Sequence, residues 1–175
     1  VDSERLAQHV ANGVDAGPGG VFIACGTGEL HALEPSELRS IVRTAVDVVG
    51  GRIPVYAGAG GSIAQAKAFA RIAADAGADG LLLLPPYLVE MPQAGLVEYT
   101  REVTEVSDLP VIVYNRNNAR YTEASAIEVA RIDKVVGFKD GTGDLDQVAR
   151  IVRAVTDDLA LIGKPFQFFN GLPTA

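Results

Sequence analysis

The sequence predicts an α/β fold built on a parallel sheet, and three features carry that expectation. Short apolar runs rich in Val, Ile and Leu recur at 21–25, 53–57, 80–84, 109–114, 135–138 and 159–162, with starts about 24 to 32 residues apart, the size of a strand-plus-helix unit. Most of these runs are continuously hydrophobic rather than alternating, the pattern of strands covered on both faces. The segments between them carry apolar residues at helical spacing.

Residues 3–14, closed by Gly17, read as an amphipathic helix that precedes the first strand, 21–25. After it, Pro35 stands at a first helical position, Leu38, Ile41, Val42, Ala45 and Val49 recur at helical spacing, and Gly50 and Gly51 close the helix. Strand 53–57 runs into Gly58-Ala59-Gly60-Gly61-Ser62, which lacks the third glycine of the dinucleotide fingerprint and the Gly-Lys-Ser/Thr of a P-loop. That stretch reads as a tight strand-to-helix turn. Helix 63–76 ends at Gly77, strand 80–84 follows, and Pro92 opens a helix running to about residue 106. Strand 109–114 precedes a short helix capped by Thr122 and ending near Arg131. Strand 135–138 precedes a helix whose Asp144 and Gln147 have capping-box spacing, 159–162 reads as the sixth strand, and 166–175 trail off. An open doubly wound sheet and a closed (β/α)₈ barrel both accommodate this series.

Composition excludes several function classes. Of the 175 residues, 48% are hydrophobic, enough to bury a core and to exclude disorder. Lys and Arg number 15 against 22 for Asp and Glu, with no basic stripe, so nucleic acid is not an expected partner. Cys25 stands alone and His9 and His31 lack neighbours at metal-ligand spacing, so neither a disulfide nor a metal site is expected, and a reducing, cytoplasmic setting fits. No apolar run approaches the ~18 residues of a membrane span, and no leader peptide is visible.

The chemistry centres on Val135-Val136-Gly137-Phe138-Lys139-Asp140-Gly141, where a lysine closes an apolar strand. Desolvation disfavours an ammonium, so a lysine held there acquires the lowered pKa that a Schiff-base nucleophile needs. Lys164 also follows an apolar run but lies between Gly163 and Pro165, which reads as a solvated loop. Val111-Ile112-Val113-Tyr114-Asn115-Arg116 ends a second strand in polar groups, on the same face of a parallel array as Lys139. A phenol there can shuttle protons, and its alternative is a packed ring with a wet hydroxyl. Cys25-Gly26-Thr27-Gly28-Glu29 follows the first strand, and its exposed N–H groups and the Thr27 hydroxyl suit a carboxylate, although such turns also occur without function.

These elements in this order resemble the class I aldolase superfamily typified by dihydrodipicolinate synthase and N-acetylneuraminate lyase, whose members are (β/α)₈ TIM barrels with a Schiff-base lysine on the sixth strand. Within it, the likeness is to the 5-dehydro-4-deoxyglucarate dehydratase branch, through Cys25-Gly26-Thr27-Gly28-Glu29, Leu84-Pro85-Pro86-Tyr87-Leu88, Tyr114-Asn115-Arg116, Gly137-Phe138-Lys139-Asp140-Gly141-Thr142-Gly143-Asp144 and Gly171-Leu172-Pro173-Thr174-Ala175. The resemblance implies that Lys139 forms an imine with a keto acid and that Tyr114 is the acid/base. It implies further that Gly26 and Thr27 hold the carboxylate beside the ketone. Asn115, whose alternative is to brace the loop, and Arg116 are then the remaining substrate-binding candidates, with Arg116, or else Arg120, suited to a second carboxylate. Gly26 and Leu88 stand where the synthases carry a hydroxyl residue and a second tyrosine. The implied reaction dehydrates and decarboxylates 5-dehydro-4-deoxy-D-glucarate, without cofactor or metal, in a homo-oligomer expected to be tetrameric at full length. The alternatives are a pyruvate-dependent aldolase or synthase, or an inactive fragment acting as a small-anion binding module.

Against a barrel of ~250 residues, a chain of 175 is short. It begins in the helix that would follow strand one, so its six strands are expected to be the second to seventh of a single incomplete (β/α)₈ domain.

Overall fold

A computed structural model describes residues 1–86, 88–116 and 118–171. Tyr87, Leu172, Pro173, Thr174 and Ala175, which belong to motifs quoted above, lie outside the described residues. Helix α1 (Ser3–Asp15) leads into β1 (Val21–Ile23), α2 (Pro35–Val49), β2 (Val55–Ala59), α3 (Ile63–Asp75), β3 (Gly80–Leu83), α4 (Gln93–Thr104), β4 (Val111–Asn115), α5 (Glu123–Ala130), β5 (Val135–Asp140), α6 (Leu145–Ala160) and β6 (Gln167–Asn170). A short 3-10 turn, Leu30–Ala32, follows the glycine-rich segment after β1.

The six strands form one sheet in sequential order, every neighbouring pair parallel. A doubly wound sheet reverses its strand order at a switch point. This sheet does not reverse, and it curves. The Phe22 ring on β1 lies edge-on to the Phe169 ring on β6, with centroids 6.2 Å apart, so the first and last strands face each other across the concave side. The fold is an arc of a (β/α)₈ barrel, a partial barrel.

Helices cover the convex face. The α2 positions expected from spacing, Leu38, Ile41, Val42, Ala45 and Val49, are all buried, behind Pro35 in its first turn and a reciprocal Glu34–Glu37 capping box. Ala45 and Val49 also meet Val10 and Val14, so α1 packs on α2. Ser62 caps α3 by accepting from the Gln65 N–H at 3.2 Å, but the turn expected over 58–62 is shorter, because Gly58 and Ala59 belong to β2 and pair with β3. Asp144 caps α6 by accepting from the Gln147 N–H at 3.1 Å.

The C-terminal part differs from expectation. Residues 159–162 are not a strand: Leu159 is the last buried residue of α6, in line with Ile151 and Val155, whereas Leu161 and Ile162 are 84% and 60% exposed in the turn beyond it. A short apolar run is the same signal for a helix end as for a strand. The sixth strand is Gln167–Asn170, whose ends are polar and whose burial is partial, so it carries no continuous apolar signature. Lys164 is not solvated either, since its Nζ donates to the carbonyls of Ala130 at 2.7 Å and Ile132 at 2.5 Å, placing a cation at the C-terminus of α5.

Candidate active site

Strands β4 and β5 pair with Tyr114 opposite Lys139 and Asn115 opposite Asp140. Alternation along a strand then sends Tyr114 and Lys139 to one face and their successors to the other. Lys139 Nζ lies 4.3 Å from the centre of the Tyr114 ring and 6.0 Å from that of Phe22. Lys139 and Tyr114 open into a cleft of about 400 Å³ at the C-terminal ends of the strands, which Gly26, Thr27 and Arg116 also line. This is the end of a (β/α)₈ barrel where catalytic groups gather.

The lysine is half-buried, and its pKa lies below the ordinary 10.5. Loss of water around the ammonium is the main cause, the nearby Cys25 sulfur opposes it, and the Arg116 guanidinium pushes downward again. Burial pushes the Cys25 thiol up to about 12, so it stays protonated and is a poor nucleophile.

Two glycines make room for the pair. A Cβ at Gly141 would stand 2.7 Å from the Tyr114 Oη, and one at Gly171 would stand 2.5 Å from the Asp140 carbonyl and 3.0 Å from Lys139 Cε. Both lie in the motifs given above, where neither carries a role legible from sequence. Spacing does not tell a glycine that admits a neighbour from one that makes a turn.

The glycine-rich segment after β1 is tightly wound. Ala24 and Glu29 adopt left-handed backbone angles, with φ of 51° and 54°. Such angles in non-glycine residues need support from their surroundings. Gly58 supplies it, because a Cβ there would fall 2.1 Å from the Ala24 carbonyl oxygen. The winding brings Gly26 and an exposed Thr27 to the edge of the cleft beside Lys139.

Arg116 and Asn115 part company. Arg116 is held at its backbone by a reciprocal pairing with Ala119, at 3.3 and 2.9 Å, and its guanidinium carbon lies 5.8 Å from the centre of the Tyr114 ring. Among the described residues no carboxylate forms an ion pair with it. Arg120 is not among the residues lining the cleft, and its carbonyl accepts from Gln93 Nε2 at 2.8 Å. Asn115, expected at the substrate, is 0% exposed and spent on structure. Its Nδ2 donates to Asp140 at 2.7 Å and its Oδ1 accepts from the Tyr121 N–H at 3.0 Å, so it braces the wall behind the cleft.

Among the described residues, no cluster of three His, Cys, Asp or Glu could hold a metal ion, and no helix is long and apolar enough to cross a membrane. The cleft presents an amine of lowered basicity beside a phenol, with a guanidinium on the same lining near the phenol ring. That set is suited to imine chemistry on an anionic carbonyl compound.

The profile of the dihydrodipicolinate synthetase family matches residues 1–164. Among curated relatives, the chain is 54% identical over 175 residues to a probable 5-dehydro-4-deoxyglucarate dehydratase of Streptomyces coelicolor, covering 100% of this chain and 55% of that protein. It is 37% identical over 175 residues to a probable enzyme of the same name from Bacillus licheniformis, covering 100% of this chain and 54% of that one. Among solved structures, it is similar to the dihydrodipicolinate synthase of Acinetobacter baumannii complexed with pyruvate, with a TM-score of 0.88, 28% identity, and coverage of 98% of this chain and 58% of that one. The synthase of Aquifex aeolicus gives a TM-score of 0.87 and 29% identity over 98% of this chain and 58% of its own. The chain spans about half the length of the curated relatives it matches. A sequential parallel arc, a lysine beside a tyrosine at its C-terminal rim and a family match over most of the length agree: the chain belongs to the dihydrodipicolinate synthetase family.

Proposed function

We propose that this chain carries the Schiff-base centre of a lyase that converts 5-dehydro-4-deoxy-D-glucarate to 2,5-dioxopentanoate, carbon dioxide and water. The observation that carries the reading is Lys139 Nζ held 4.3 Å from the Tyr114 ring in a half-buried cleft, its basicity lowered by lost hydration. The names of the relatives at 54% and 37% identity support this substrate, and the Arg116 guanidinium lining the cleft, with no carboxylate paired to it among the described residues, supports a dianionic one.

In this mechanism the neutral Lys139 amine adds to the C5 ketone, and loss of water gives a protonated imine that serves as an electron sink. The N–H groups at 26–27 and the Thr27 hydroxyl hold the adjacent carboxylate, and Arg116 holds the distal one. Tyr114 relays the C4 proton as the enamine forms. The enamine expels the C3 hydroxyl as water, and the carboxylate on the imine carbon departs as carbon dioxide and is replaced by a proton. Loss of the C2 proton into the conjugated imine, with reprotonation at C4 and then C3, turns the C2 hydroxyl into the second carbonyl, and hydrolysis frees Lys139. No step calls for a metal, because the imine itself stabilises the developing negative charge.

Borohydride added with substrate to the full-length protein is expected to fix one adduct on Lys139, with carbon dioxide released in its absence. In Lys139→Ala both are expected to vanish. Trapping that survives Lys139→Ala would remove the lysine from the mechanism, and carbon–carbon cleavage to pyruvate without carbon dioxide would transfer the site to the aldolase reaction.

A further inference from the structure

Gly26 has no backbone reason to be glycine. Its φ is not among the left-handed values that mark Gly61 and Gly143. Nor does main chain press on it, as it does at Gly28, where a Cβ would lie 2.9 Å from Ala24 Cα. At position 26 the nearest atom to such a Cβ is Nη1 of Arg116 at 3.0 Å, and the next, Arg116 Cζ and Leu84 Cδ2, stand at 3.9 Å. The space that a side chain at 26 would take is filled by the guanidinium.

Three further observations give that contact a purpose. The Arg116 backbone is fixed by its pairing with Ala119, so a crowded guanidinium can yield only through its own side chain. Among the described residues no carboxylate engages that guanidinium within the protein. Arg116 and Lys139 line the same cleft, so the two cationic groups are set to hold one ligand at separate points. A planar guanidinium binds a carboxylate through two directed N–H bonds, which weaken steeply when distance and angle slip.

We infer that Gly26 is a specificity-determining residue whose missing Cβ is the slot through which Arg116 reaches the far carboxylate of a keto diacid. Positions 26 and 116 then select dicarboxylic over monocarboxylic keto acids as a pair. The inference rests on the imine reading above and deepens it. Alanine at 26 keeps the backbone N–H that the near carboxylate uses and strains no torsion, so its effect is confined to the guanidinium.

The test compares 2-oxoadipate, a six-carbon keto diacid, with pyruvate, by the concentration of each that half-saturates borohydride trapping on Lys139 in the full-length protein. Gly26→Ala and Arg116→Ala are each expected to raise that concentration about tenfold more for 2-oxoadipate than for pyruvate, the scale of one charge-assisted contact. The double variant is expected to lose no more than Arg116→Ala alone. The far-ultraviolet circular dichroism of each variant serves as the control for folding. An equal rise for both acids, an unchanged value for 2-oxoadipate in Gly26→Ala, or additive losses in the double variant overturns the slot and leaves the imine reading standing. No adduct with either acid in the parent protein overturns the imine reading, and the slot with it.

Discussion

A lysine at the C-terminal end of an apolar strand was legible in the sequence because burying an ammonium there costs free energy that a surface lysine avoids. That cost is open to measurement. Below its lowered folded-state pKa, Lys139 is protonated both folded and unfolded, and the folded state bears the full loss of hydration. The penalty fades as pH climbs from the lowered value to the ordinary 10.5, above which the amine is neutral in both states. Lys139→Met is therefore expected to melt above the parent at neutral pH, by calorimetry on the full-length protein, with the gap closing by about pH 11. A variant that melts below the parent at neutral pH contradicts the desolvation account. Tyr114 and Arg116 were visible for the same reason as Lys139, polar groups at the end of an apolar run. For Asn115 polarity left substrate binding and bracing both open, because it does not show which face a side chain takes, and its contacts with Asp140 and Tyr121 are the bracing ones. Alternation would have found it: Tyr114 faces the cleft, so its successor on the strand turns away. Gly141 and Gly171 were missed because their importance lies in the tyrosine ring and lysine stem that fill their missing Cβ positions, neighbours fixed only by folding.

Strands β4 and β5 meet through more than their backbone ladder. The buried Asp140 carboxylate accepts from Asn115 Nδ2 at 2.7 Å, from the Thr142 hydroxyl at 2.9 Å, and from the N–H groups of Thr142 and Gly143 at 3.1 and 3.2 Å. Asn115 passes the connection on to the Tyr121 N–H, so one network ties both strand ends to both loops bordering the cleft. Asp140→Ala leaves those donors without their acceptor and is expected to cost about 2 to 4 kcal/mol in urea unfolding. A loss under about 0.5 kcal/mol would show that water replaces the carboxylate at no cost. Element identity was legible wherever periodicity ran long, as in α2 with its five buried apolar positions. It failed at the end of α6, where four apolar residues followed a helix without a break, and at β6, whose polar ends and partial burial carry no continuous apolar signal. Lys164 was misread with them, because the α5 carbonyls that hold it are more than thirty residues away in sequence.

Across the whole molecule, curvature brings Phe22, Tyr56 and Phe169 together on the concave side. Phe22 stacks on Tyr56 with ring centroids 5.0 Å apart and meets Phe169 edge-on from the far strand. Among the described residues β1 pairs only with β2 and β6 only with β5, which leaves each with a free row of N–H and C=O groups. Expressed as these 175 residues alone, the chain is expected to self-associate through those edges, with light scattering reporting species above the monomer mass of 18.3 kDa. A monodisperse, cooperatively melting monomer contradicts this. The sequence by itself determined the α/β class, the parallel strands, most helix boundaries and the strand-end Lys139, Tyr114 and Arg116, because burial on both faces and 3.6-residue periodicity are written locally. Only the tertiary structure decided for the barrel arc over the doubly wound sheet, moved the sixth strand to Gln167–Asn170, separated Arg116 from Arg120 and turned Asn115 away from the cleft. Each of those depends on which distant residues the curvature of the sheet brings together, and no local pattern encodes that.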